Sequence, residues 1–184
     1  MKRILCLSLI LILLAGASLA QGTSKSSYAG VGAYSVLFMY DNSDMDETFG
    51  GYSITGGHAF SANFAARGHL YFTTHEDDSD LEINGYDIQA MLGGGLAGQG
   101  FKYYLLGGYF SESTDVSLGA ATVSADFTGM MFGFGIGYTW ESVTLDWWGS
   151  VRNSSDWDDF MDTISAETLD YQHGAGGLSL GFRF

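Results

Sequence analysis

Side chains alternate along a β-strand, so a stretch whose odd and even positions differ in polarity reads as a strand with two unlike faces. From Phe64 to Thr74 one set is Phe64, Ala66, Gly68, Leu70 and Phe72, and the other includes Arg67, His69, Tyr71 and Thr73. From Asp126 to Trp140, the residues Met130, Phe132, Phe134, Ile136, Tyr138 and Trp140 stand against Gly129, Gly133, Gly135 and Gly137. A large apolar face opposed to a polar or glycine face is the inverse of a soluble sheet around a dry core. It suits strands whose outer side meets lipid.

The same alternation recurs at hairpin spacing and predicts strands over 28–40, 51–60, 64–74, 81–96, 101–110, 126–140, 143–152 and 171–184. The first puts Tyr28, Tyr34, Val36, Phe38 and Tyr40 on one face, and the second turns Tyr52 and Ile54 outward. The fourth sets Tyr86, Ile88, Ala90 and Leu92 against Asp87 and Gln89, with a phase slip near Asn84 and Gly85 that reads as a bulge. Both faces of the fifth are apolar. Lys102 and Tyr104 are placed inside because a lysine facing lipid is costly. The seventh opposes Val143, Leu145, Trp147 and Val151 to Thr144, Asp146, Trp148 and Arg152. Connectors after the second, fourth and sixth strands are short, and the others are longer and polar. Alternating short and long connectors give an all-β fold, an eight-stranded antiparallel up-and-down transmembrane β-barrel, with both ends of the chain on the short-turn, periplasmic side. The stretch 111–126 reads either as a loose loop or as a continuation of the flanking strands, with Val116, Leu118 and Val123 hinting at a hairpin.

The last strand ends GGLSLGFRF, placing Leu178, Leu180, Phe182 and Phe184 on one face and Gly177, Ser179, Gly181 and Arg183 on the other. This ending resembles the C-terminal strand of bacterial outer-membrane β-barrels, although Ser179 stands where that pattern favours glycine. Across the mature sequence, strand number and connector pattern are similar to the OmpA-like transmembrane domain and related small outer-membrane β-barrel proteins. The resemblance implies that Leu178, Leu180, Phe182 and Phe184 are the signal read by the barrel-assembly machinery. It also implies outer-membrane lipid and lipopolysaccharide as surroundings, in a Gram-negative cell. The expected state is a monomer.

The start of the chain agrees with export. Lys2 and Arg3 precede an apolar run from Ile4 to Leu14, and Ser18-Leu19-Ala20 offers the small residues of a cleavage site, so residues 1–20 are expected to be a signal peptide and 21–184 the barrel domain. The run is too short to span a membrane as a helix. The one cysteine, Cys6, lies within it, so the mature chain is expected to contain no disulfide. The chain has 184 residues, 27 of them glycine and none proline, which suits many strands joined by tight turns. A formal charge of −14 argues against nucleic acid as a partner.

The acids gather in the long connectors: Asp41, Asp44, Asp46 and Glu47; Glu76, Asp77, Asp78, Asp80 and Glu82; Glu112 and Asp115; and Asp156, Asp158, Asp159, Asp162 and Glu167. They keep loops solvated and discourage edge pairing. Asp77-Asp78-Ser79-Asp80 and Asp156-Trp157-Asp158-Asp159 also offer oxygen ligands to divalent cations, without the spacing of a Ca²⁺ loop. No catalytic, cofactor-binding or resident metal site is expected. His173 lies near Asp170 and Glu167, but Ala175 occupies the place where a lipid A deacylase would carry its serine, so the chain is read as non-enzymatic, with an acyl hydrolase of lipid A as the less favoured reading. His58 and His69 are read as lumen or interface polar groups.

Two further expectations concern the interior and the girdles. Arg67 is expected to pair with Asp87 in the lumen, with Asp146 as the alternative acid and Arg152 too far along its strand to compete. Glycine rows on the sixth and eighth strands leave either a narrow wet cavity or room for Tyr71, Tyr104, Trp148 and Arg67, so a plugged barrel and a narrow channel for ions or small hydrophobic solutes both remain open. Aromatic girdles are expected from Tyr28, Phe60, Phe64, Phe101, Trp140, Phe182 and Phe184 at the short-turn end and from Tyr40, Tyr52, Phe72 and Tyr109 at the other.

Overall fold

A computed structural model describes residues 25–40, 46–78, 80–118, 121–153 and 171–184. The expected leader, Asp41 and Asp44, and the acids from Asp156 to Glu167 lie outside the described residues. Eight strands, β1 (Ser27–Tyr40), β2 (Glu47–Ala59), β3 (Phe64–His75), β4 (Glu82–Gly94), β5 (Gly100–Leu118), β6 (Ala121–Thr139), β7 (Val143–Asn153) and β8 (Tyr171–Arg183), form a closed barrel. Each is antiparallel to its neighbour, and β8 returns to β1 with Tyr28 opposite Arg183 and Ala33 opposite Leu178. Closure leaves no sheet edge along the shared height of the barrel, which satisfies the backbone where no water can.

The turns at 60–63, 95–99 and 140–142 gather at one end, held by bonds such as Phe60 N to Phe64 O at 3.0 Å and Trp140 N to Val143 O at 2.8 Å. In the middle turn Gly95 (φ 76°) and the following Gly100 (φ 106°) take left-handed conformations that a side chain would resist. Ser27 and Phe184 meet at this same end, where Phe184 N donates to Ser27 O at 3.0 Å.

Alternation sets the two faces as expected on most strands. Leu70 and Phe72, Ile88 and Leu92, Phe132 and Phe134, Trp147 and Val151, and Leu178 and Leu180 turn outward, while Arg67, Lys102, Tyr104, Asp146 and Trp148 are buried within. The outer surface is a continuous apolar band, far beyond what a soluble monomer exposes. Two expectations change and one open alternative is decided. Tyr28 is not a girdle residue: its ring enters the lumen, where a Cβ on Gly57 or Gly181 would strike it at 2.5 and 2.7 Å, and Tyr34, Val36 and Phe38 share this inward phase. The bulge near Asn84 and Gly85 is absent, since pairing runs unbroken through Phe72 with Asn84 and Tyr71 with Gly85. The long-loop end of the lumen is apolar, and Ile83 is buried there with Phe38, Phe49 and Phe127. The stretch 111–126 continues the strands as a hairpin, with Val116 opposite Val123.

Phe60, Phe64, Phe101, Trp140, Phe182 and Phe184 are exposed on the outside near the short turns, and Tyr52, Phe72 and Tyr109 lie further toward the other end. The side chain of Tyr40 lies outside the described set. Leu105 is 69% exposed in the middle of the band. Leu105→Arg is expected to destabilise the barrel folded in lipid vesicles by about 2–4 kcal/mol, measured by urea titration, because the charge falls near the bilayer midplane.

Candidate functional site

The interior is the chemically distinctive part of the molecule. It is a narrow column of charged, amide and aromatic groups supplied by β1, β3, β4, β5, β7 and, through His173, β8, with glycines on β6 and β8 making room. A Cβ on Gly135 would lie 2.4 Å from the Tyr104 ring, and one on Gly85 would lie 2.7 Å from the Tyr71 hydroxyl. The space over the glycines is therefore taken by side chains of the residues paired with them on the neighbouring strands, Tyr104 opposite Gly135 and Tyr71 opposite Gly85.

Beginning nearer the short turns, Lys102 Nζ donates to Asp146 Oδ2 at 2.8 Å and to Thr144 Oγ1 at 2.6 Å. Tyr104 donates its hydroxyl to Asp146 Oδ1 at 3.1 Å and accepts from Arg67 Nη1 at 2.9 Å. The Arg67 guanidinium also holds Gln89 Oε1 and lies 5.2 Å from the Trp148 ring centre. Gln89 Nε2 donates to Asp87 Oδ1 at 3.0 Å, and Asp87 further binds His69 Nδ1 at 2.8 Å and the Tyr34 hydroxyl at 2.6 Å. Tyr34 accepts from Arg152, whose Nη1 reaches Glu112 Oε2 at 2.6 Å. Glu112 accepts from Tyr71 at 2.8 Å and faces His173 at 3.5 Å. The rings add contact: Tyr34 stacks on Tyr71 at 4.1 Å, His69 on Trp148 at 5.0 Å and Phe38 on His173 at 4.5 Å.

Each carboxylate in the column thus has a cation or an imidazole beside it and a phenol donating to it. That is the condition for keeping an ionised group out of bulk water. Arg67 and Asp87 both face the lumen as expected, but they do not form the expected direct pair. The β3–β4 register sets Arg67 opposite Gln89 and His69 opposite Asp87, so the amide of Gln89 bridges the two charges.

Two members lie outside the expected set. Glu112, assigned to a loop, is buried in the lumen because β5 continues past Phe110 and keeps the inward parity of Lys102 and Tyr104. Arg152 is its partner and not a bystander. Counting in twos from Lys102 along β5 would have found Glu112.

The histidines have structural surroundings. His173 sits inside the column and not at an open rim, and the Asp170 and Glu167 expected beside it lie outside the described residues. His58 meets the Ser27 hydroxyl at 2.9 Å, and His75 Nδ1 accepts from the backbone amides of Asp77 and Asp78. Among the described residues, no three His, Cys, Asp or Glu side chains converge as a metal centre.

A closed eight-stranded barrel with an apolar exterior and a polar, filled interior is an outer-membrane architecture. The chain belongs to the outer membrane protein beta-barrel domain family, whose profile matches residues 6–184. It is an outer-membrane protein of the Gram-negative type. Among solved structures it is similar to Ail, the attachment invasion locus protein of Yersinia pestis, at 16% identity over 86% of this chain and 98% of that one, with a TM-score of 0.61. It is similar also to Neisserial surface protein A, at 17% identity over 89% and 98% of the two chains and a TM-score of 0.57. OprG of Pseudomonas aeruginosa matches at 11% identity over 89% and 98%, with a TM-score of 0.51. At such identities the likeness is one of fold. Ail has also been solved in complex with the heparin analogue sucrose octasulfate. No curated protein matches the chain by sequence.

Glu112 and Arg152 are fully buried together, so removing either strands the other. Glu112→Gln and Arg152→Met are each expected to cost about 3–5 kcal/mol, and the double variant less than their sum. A double-mutant cycle on the folded barrel, read by urea titration, measures this; additive costs would show that the two do not interact.

Proposed function

We propose that this protein is a non-enzymatic outer-membrane barrel with a structural or surface-interaction role, presenting acidic loops to the cell exterior and keeping its short turns and both ends of its mature chain in the periplasm. The observation that carries this reading is the lumen. Linked side chains fill it from Lys102 to Glu112, which favours a plug over a conduit.

The exterior role rests on how charge is divided. After Arg3 the basic residues are Lys25, Arg67, Lys102, Arg152 and Arg183, and the last four are buried inside the barrel. The long connectors carry Asp and Glu with no Lys or Arg among them, and the described members Asp46, Glu76, Asp77, Asp78 and Asp80 are exposed. Such a surface repels a sulfated polyanion of the kind seen bound to Ail, and it repels lipopolysaccharide phosphates unless divalent cations bridge the two. A cationic surface or cation-bridged lipopolysaccharide is the matching partner. The barrel works as a monomer, and the outward row Leu178, Leu180, Phe182 and Phe184 serves as the signal for the barrel-assembly machinery.

In planar bilayers the purified barrel is expected to give no large, sustained conductance steps; stable open steps would favour the narrow-channel reading for ions or small hydrophobic solutes. For the assembly signal, Phe184→Asp is expected to reduce the amount of protein in outer-membrane fractions while leaving the melting temperature of barrel refolded in detergent nearly unchanged. Equal accumulation of variant and wild type in the membrane would remove that role.

A further inference from the structure

The column of charge does not balance. Among the described residues the barrel buries four cationic side chains, Arg67, Lys102, Arg152 and Arg183, against three carboxylates, Asp87, Glu112 and Asp146. The contacts identify the surplus. Lys102 is paired with Asp146 and Arg152 with Glu112, while Arg67 is held by Gln89 and Tyr104, which in turn bind Asp87 and Asp146. Arg183 is 7% exposed and bonds only neutral groups: the carbonyl oxygens of Lys25, of Ala97 at 2.9 Å and of Trp140 at 3.4 Å. Among the described residues, neither a side-chain carboxylate nor the terminal carboxylate lies within ion-pair distance of it.

A guanidinium shielded from water without a counter-charge is costly, and carbonyl dipoles offset only part of that cost. Arg183 fronts a small crevice at the short-turn end, lined on its polar side by Ser26, Tyr28, Lys102, Thr139 and Thr144, with no carboxylate in its wall. Three of the five guanidinium N–H donors are used by the carbonyls, which leaves two. Lys102 uses two of its three, on Thr144 and Asp146. Lys25, bonded to the Ser142 hydroxyl at 2.7 Å, adds positive potential at the same end, and the acids there are the exposed Glu141 in the turn and the terminal carboxylate of Phe184, which accepts from Ser27 N at 3.3 Å. The space is about 20 Å³, enough for one water-sized body.

We propose that this crevice is an anion site of halide size, in which Arg183 supplies the uncompensated charge and Lys102 the second cationic donor. The site holds one monovalent ion between the two and completes the charge balance of the lumen at the end where Ser27 meets Phe184.

The test uses the intact barrel refolded in detergent, melted in sodium bromide or sodium chloride and in sodium gluconate at equal ionic strength, since gluconate is too large to enter. The halide salts are expected to raise the wild-type melting temperature by roughly 2–4 °C over gluconate, and this difference should vanish in Arg183→Gln and in Lys102→Met. Equal melting of the wild type in all three salts, or a difference that survives in Arg183→Gln, would overturn the proposal. Should a variant not fold, bromide-containing wild-type crystals decide: an anomalous peak in contact with both Arg183 and Lys102 supports the site, and its absence rejects it.

Discussion

A charged group inside an eight-stranded barrel has little access to bulk water, and the strands around it leave little space for a hydration shell. Every ionised side chain in the interior must therefore be answered by polar groups of the protein in reach. This single requirement accounts for the composition of the column. Asp87, Asp146 and Glu112 each take two or more donors, the phenols of Tyr34, Tyr71 and Tyr104 donate to carboxylates, and Tyr34 and Tyr104 also accept from the arginines. Glycine on β6 and β8 follows from the same constraint, because the rings of Phe110, Tyr104, Trp148 and Tyr28 lie over Gly129, Gly135, Gly177 and Gly181 where a Cβ would meet them.

The outer surface obeys a simpler rule, and that is why so much of the fold could be read from the chain. Lipid on one side enforces a strict period of two, so a register slip would turn polar groups such as Arg67 or Asp146 into hydrocarbon. The phases of β3, β4, β6, β7 and β8 were legible for that reason. β1 was harder, because both of its faces carry apolar residues and Tyr28 looks equally suited to an interface or to a lumen. The interior pairs were partly legible. That Arg67 and Asp87 face inward follows from alternation, but whether they touch depends on where the β3–β4 turn is centred, which polarity does not reveal. Glu112 was hidden because its acidic, serine-rich neighbours look like a loop while the backbone continues as a strand.

Charge is sorted by direction as well as by depth. Cations are retained within the wall and at the short-turn end, and anions dominate the long connectors, so the molecule carries a strong electrical asymmetry along its axis. Such a distribution opposes contact with anionic surfaces at the long-loop end, whatever the contact that end eventually makes.

The links of the column join strands far apart in the chain: Tyr34 to Arg152 spans 118 residues, Tyr34 to Asp87 spans 53 and Lys102 to Asp146 spans 44. No single hairpin can satisfy these groups. They find partners only when β1, β4, β5 and β7 have been brought around a common axis, so the sealing of β8 against β1 and the neutralisation of the interior belong to one cooperative event. A sheet with its last seam open would separate Tyr34 on β1 from Arg152 on β7, which reach each other across β8. The interior thereby acts as a checkpoint on closure, penalising any assembly in which the last seam has not formed.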